Sequence, residues 1–151
     1  MSESEEQKIF EEFNRQASEH AAKFKKETFR RLQKVTPELF AQFLSDKGVS
    51  RRCLACGHSE LSTSETMSLD SSLSPFGSRP ISELTLEETE EYMKATAVHY
   101  VTPSVIDNDK RSLVSNYQYQ LICANCGYTS LFRAANVVYW VEALNVNLEG
   151  K

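Results

Sequence analysis

Through the first quarter of the chain, mostly apolar positions recur every three or four residues: Ile9, Phe13, Ala17, Ala21, Phe24, Thr28, Leu32 and Val35. That spacing marks one stripe of an α-helix, and neither glycine nor proline interrupts the run from about Ser4 to Val35. Phe10 and Phe29 fall off this stripe, so the helix has apolar side chains for more than one surface. A helix this long exceeds the usual globular range, which leaves two coverings open: the chain's own domain, or a second copy in a homodimer.

Thr36-Pro37-Glu38 predicts a second helix, with Thr36 as cap and Pro37 at the first helical position. Leu39, Phe40, Phe43 and Leu44 form its apolar face, and Gly48 is placed to end it in the left-handed conformation. Beyond His58 the pattern shortens to a period of two. Leu61, Thr63, Glu65, Met67 and Leu69 alternate with mostly Ser and Thr, a weak strand opening a ribbon. Asp70 to Pro80 reads as loop, and Thr85-Leu-Glu-Glu88 as a capping box opening a short acidic helix to about Ala95.

The stretches 98–106 and 113–122 look extended, and Asp107-Asn-Asp109 is good turn chemistry, so they predict an antiparallel hairpin. Pro103 moves its first strand towards an edge. Tyr128 to Phe132 predicts a further strand. Ala134 to Leu144 fits a helix with Ala134, Val137, Val138, Val141 and Leu144 in register, although its β-branched residues leave a strand open. Trp140 is then either core or a contact residue.

Together these elements predict an α+β fold. Residues 1–48 form a helical extension, and 49–151 a domain carrying an inserted loop and short helix at 68–95.

Composition changes this picture little, since 40% apolar and 25% charged residues in 151 are ordinary for a soluble protein. No apolar run is long enough to span a membrane. The acidic start, Met1-Ser-Glu-Ser-Glu-Glu, has no signal-peptide character, and a cytoplasmic location is expected.

Charge distribution matters more. The formal net charge of −4 argues against a polycation seeking phosphate, yet Arg15 to Lys34 holds seven basic residues against two acidic ones. Glu83, Glu87, Glu88, Glu90 and Glu91 form an acidic run. In the long helix the acids come first and the bases last, the order that the helix dipole favours.

All four cysteines stand in two knuckles, Cys53-Leu-Ala-Cys56-Gly-His58 and Cys123-Ala-Asn-Cys126-Gly-Tyr128. Each C-x-x-C-G loop aims two sulfurs at one point and turns at a glycine able to take positive φ. Cys53, Cys56, Cys123 and Cys126 would complete a tetrahedral Zn2+ shell with no position left for water or substrate, which makes the metal structural. Two disulfides are the alternative for a secreted chain, and the knuckle spacing argues against them. His58 is an alternative ligand, though four sulfurs already satisfy the ion.

Motifs for zinc proteases, P-loop NTPases, serine hydrolases and zinc deaminases are absent, so a non-catalytic protein is expected.

Leu121-Ile-Cys-Ala-Asn-Cys-Gly-Tyr-Thr-Ser-Leu-Phe132 resembles the second knuckle of small bacterial zinc-ribbon proteins predicted to bind nucleic acid, and Cys53, Cys56 and Gly57 match the first. The resemblance covers the knuckles and their flanking strands, and implies a zinc ribbon of bacterial or phage origin. Two functions compete. In the first, a protein-interaction adaptor or regulator, the ribbon is a rigid platform and the long helix or the acidic helix at Thr85 to Ala95 engages another protein. In the second, Arg51, Arg52 and Arg133 near the knuckles and Lys23, Lys26 and Arg30 on the helix meet phosphates, while Tyr117, Tyr119 or Tyr128 stacks on bases.

Overall fold

The computed structural model describes residues 3–110 and 113–149. Its elements are helix α1 (Glu3–Leu32), helix α2 (Pro37–Asp46), strands β1 (Leu61–Ser62) and β2 (Glu65–Leu69), helix α3 (Leu86–Thr96), strands β3 (Ala97–Val101), β4 (Ser104–Val105), β5 (Tyr117–Cys123) and β6 (Thr129–Arg133), and helix α4 (Ala134–Glu149). The class is α+β, with antiparallel strand pairing throughout.

The local signals act as expected. Thr36 accepts from the Leu39 amide, with Pro37 in the first turn of α2. After α2, Gly48 sits at φ 71°, where the Val49 amide reaches back to the Leu44 carbonyl at 2.9 Å. Thr85 and Glu88 close a reciprocal capping box at the start of α3. The last element is a helix, with Ala134, Val137, Val138 and Val141 buried.

β5 is the central strand. Along one edge it pairs with β6, through Gln118↔Arg133 to Ile122↔Thr129. Its other edge is shared by β1 at the cysteine end (Leu61↔Cys123) and β4 at the opposite end (Val105↔Tyr117). Between these short strands the chain leaves the sheet as a separate ribbon, β2 against β3, in register from Glu65↔Val101 to Leu69↔Ala97. The Thr102 amide bonds to the Ser64 carbonyl at 2.8 Å, so both strands change partner at the same level.

The expected hairpin of 98–106 with 113–122 is therefore corrected. Only Ser104 and Val105 pair with β5, whereas residues 97–101 pair with β2. The switch falls at Thr102-Pro103, and proline has no amide to continue a ladder. On the partner side, Val114–Asn116 forms a 3-10 turn, and the strand starts at Tyr117. The inserted segment is the distal end of this ribbon, closed at its base by the Asp70 amide on the Thr96 carbonyl.

The core gathers Leu32, Val35, Phe40, Phe43, Val101, Val114, Tyr119, Ala134, Val137, Val138 and Val141. Four of these come from the stretch expected to be an extension, so the end of α1 and all of α2 pack on the sheet and α4. Phe40 makes ring contacts with both Tyr119 and Phe132. Trp140 is half-buried, edge-on to Phe43, and its indole N–H donates to Asp46 at 3.0 Å.

α1 behaves differently along its length. At its end, Phe29 meets Tyr100, Arg31 pairs with Glu142 at 2.8 Å, and Leu32 is fully buried. Earlier on the same helix, Ile9, Phe10 and Phe13 are 58 to 67% exposed, and every residue from Glu3 to Glu27 is exposed. Self-packing thus accounts only for the last turns.

Candidate metal centre

The two knuckles are near copies of one another in hydrogen bonding. In the first, the Cys53 amide donates to the His58 carbonyl and the Gly57 amide to the Cys53 carbonyl, at 2.8 and 2.9 Å. In the second, the Cys123 amide donates to the Tyr128 carbonyl and the Gly127 amide to the Cys123 carbonyl, both at 2.9 Å. Gly57 and Gly127 both take φ 78°, a conformation that side chains with a Cβ rarely adopt.

What brings the knuckles together is strand pairing. β1 leaves the first knuckle and pairs beside Cys123, and the Ala124 amide bonds to the Glu60 carbonyl at 3.0 Å.

The result is a cluster of Cys53, Cys56, Cys123 and Cys126 whose sulfurs all lie within 4.8 Å of one another. Cys53 and Cys126 are 3.6 Å apart, and Cys56 and Cys123 3.7 Å. No disulfide joins them. A tetrahedron with metal–sulfur bonds of about 2.3 Å has edges of about 3.8 Å, so the four sulfurs fit a single thiophilic ion.

Their electrostatics point the same way. Cys56 is lowered to about 6, first by the Asn125 side-chain amide, which donates to its sulfur at 3.5 Å, then by the His58 amide. Cys53 is also lowered, chiefly by the Cys56 backbone amide. The Tyr128 amide acts in the same direction on Cys126, but the neighbouring sulfurs, Cys56 foremost, and burial together push it up to about 12. Four thiolates this close repel, and a cation at their centre removes the conflict. His58 stands outside the tetrad, its Nδ1 accepting from the Glu60 amide at 3.2 Å.

The remaining candidate residues do not form one surface. Arg52 and Tyr128 line a groove beside the first knuckle, and Arg51 is exposed next to Arg52. Arg133 was expected near the knuckles, but it lies at the far end of β6, about 13 Å along the strand from Thr129, with its guanidinium on the Ser115 carbonyl. Tyr117 borders a different cavity with Lys25, Phe29 and Tyr100. Lys26 and Arg30 border a third with Asp70, and Lys23 is exposed on α1.

Tyr119 cannot stack on a base. It is fully buried, its hydroxyl donates to the Leu32 carbonyl at 3.2 Å, and burial raises its pKa. Strand alternation put Tyr119 with Tyr117, and only the packing of α1 and α2 over that face separates them.

Two apolar residues at the groove stand inside the knuckle motifs but were not among the candidate contact residues. Leu54 is 74% exposed inside the first knuckle, and Leu131 is 55% exposed on the outward face of β6. Asn125 was equally unmarked, although its position between two cysteines is a usable signal for a sulfur-directed amide. Among the described residues, no helix is long and apolar enough to cross a membrane. Compared with models of protein families, with curated proteins and with solved structures, the chain matches none.

Proposed function

We propose that this chain is a non-catalytic interaction module closed by a structural zinc ion, acting as an adaptor that takes up an apolar segment of another protein. Four sulfurs from the chain itself fill a tetrahedral shell, which leaves no open position for activating water. Such a centre contributes folding free energy and chemically does nothing more.

The observation that carries the adaptor reading is the groove of about 540 Å³ between the first knuckle and β6. Leu54, Leu61, Leu121, Leu131 and Phe132 supply its apolar lining, and Arg52 and Tyr128 its polar rim. Among the described residues β6 pairs only with β5, so its outer edge is available to an added strand. An extended peptide there gains main-chain hydrogen bonds from the edge and side-chain pockets from the groove. Arg51 and Arg52 favour an acidic flank on that peptide.

Nucleic acid is the second reading, favoured by Arg52 and Tyr128 on the same rim, with Arg51 exposed on the adjoining cavity. The net charge of −4 weighs against it.

One experiment separates the two. Zinc-loaded full chain is used to capture partners from its host, with and without nuclease, beside a variant carrying Leu54→Asp and Leu131→Asp. An identified protein that resists nuclease and is lost with the variant supports the adaptor. Retention on nucleic acid at low salt that is lost with Arg51→Ala and Arg52→Ala supports the alternative. Metal analysis of the purified chain should give one zinc per chain, and a different stoichiometric metal would overturn the zinc assignment.

A further inference from the structure

The first 24 or so residues of α1 carry an apolar stripe that nothing among the described residues covers. Phe10, Phe13, Ala17, Ala21, Phe24 and Thr28 fall within an arc of about 80° on a helix of 3.6 residues per turn. Phe10 therefore belongs to the stripe's face. At the end nearest the domain, Thr28 on this face is buried, whereas Phe10, Phe13 and Phe24 are 64, 67 and 45% exposed. A helix with a bare aromatic stripe over some six turns is marginal by itself in water.

We propose that a second copy of this chain covers the stripe, with the two α1 helices antiparallel about a two-fold axis near Ala17. Charge order favours this arrangement. Residues 3–14 hold five glutamates and one lysine, whereas 15–34 hold seven basic residues and two glutamates. Antiparallel helices set the acidic half of each copy along the basic half of the other, with Glu11 and Glu12 beside Lys23 and Lys25 of the second copy. Parallel helices in register would place acid on acid and base on base.

Side-chain size favours it too. The stripe runs large, small, large: Phe10 and Phe13, then Ala17 and Ala21, then Phe24. With the axis at Ala17, Phe13 of each copy faces Ala21 of the other, a bulky residue against a small one, and only the outer pair, Phe10 with Phe24, sets ring on ring. A parallel pair in register would stack every phenylalanine on its own copy and leave both alanine layers, at 17 and 21, open between them. The closed two-fold pairing uses the same patch twice and leaves no stripe exposed. This inference is independent of the metal and groove readings.

The test is the solution mass of the zinc-loaded full chain by light scattering over a concentration series. The expected mass is twice 17.2 kDa at high concentration, falling to a monomer on dilution. Phe13→Glu with Phe24→Glu should give a monomer throughout, while metal content and cooperative unfolding of the core persist. Glu11→Lys with Glu12→Lys, and separately Lys23→Glu with Lys25→Glu, should each weaken association on the order of tenfold. The four changes combined should restore it. Because Glu12 also bonds Arg15 within its own helix, the restoration is the decisive readout. A wild-type monomer at every concentration overturns the proposal, as does a dimer that survives the glutamate pair at 13 and 24. A quadruple variant weaker than either pair overturns the antiparallel order.

Discussion

The two ends of α1 share one helix and one sequence pattern but have opposite fates. Phe29, Leu32 and the following Val35 meet the sheet and α4, with the Val101 amide bonded to the Val35 carbonyl at 2.9 Å. Ile9, Phe10 and Phe13, six turns earlier, face solvent. The period of an apolar stripe identifies the face that wants covering and is silent about what covers it. The covering depends on how far the sheet extends, and here the domain ends before the helix does.

The largest effect should come from the clasp, which closes the sheet that the end of α1 packs on and that its early turns do not reach. Cys123→Ser, or removal of the metal by a chelator, opens the tetrad and leaves β1 with only two paired residues on β5. Structural zinc sites in small peptides are worth on the order of 10 kcal/mol at neutral pH. Loss of bound metal, loss of near-ultraviolet dichroism and a collapsed urea midpoint are expected. A chain that unfolds identically with and without metal would deny the centre its structural role.

A smaller and more direct comparison uses one residue type at two places. Phe40 is 1% exposed between Tyr119 and Phe132, so Phe40→Ala should cost about 3–5 kcal/mol. Phe13→Ala, measured by urea unfolding at concentrations where the chain is monomeric, should stay within about 0.5 kcal/mol. Equal costs would mean that α1 packs along its whole length.

Tyr119 ties α1 to β5, and its titration gives a pH test. Burial holds its hydroxyl proton beyond the usual range near pH 10, so the folded state binds that proton more tightly than the unfolded one. The resulting stability is present below pH 10 and is lost as pH rises further. Tyr119→Phe should cost about 1 kcal/mol at neutral pH, through the lost bond to Leu32, and should flatten the alkaline decline. A variant with the same decline as wild type would assign it to other groups.

The smallest difference separates two ion pairs on the same helix. Arg31–Glu142 joins α1 to α4 with both side chains about one-third exposed, whereas Arg15–Glu19 lies within the exposed stretch. Double-mutant cycles should give up to about 1 kcal/mol for the first and about 0.3–0.5 for the second. Reversal of that order would indicate that the early turns of α1 are held more firmly than its end.

Local chemistry was legible in the residues themselves. Thr36, Gly48, the Thr85–Glu88 box and the two knuckle glycines act within a few positions of themselves, so they do in the fold what their types dictate. Each knuckle was likewise readable, because C-x-x-C-G encodes its own turn and the direction of its sulfurs.

What only the tertiary structure decided is every choice between partners. Residues 98–106 read as one strand and the structure divides them between β3 and β4, since the pairing of a short extended segment depends on which edge is free beside it. Tyr117 and Tyr119 share a face of β5, and helices α1 and α2, far away in the chain, bury one fully and the other only in part. Leu54 and Leu131 lie 77 positions apart and meet at one groove only because β1 pairs beside Cys123. Residue type and spacing determined the elements and the four sulfurs. Long-range pairing, whose energy resides in contacts that no local window contains, decided which surfaces those elements leave open.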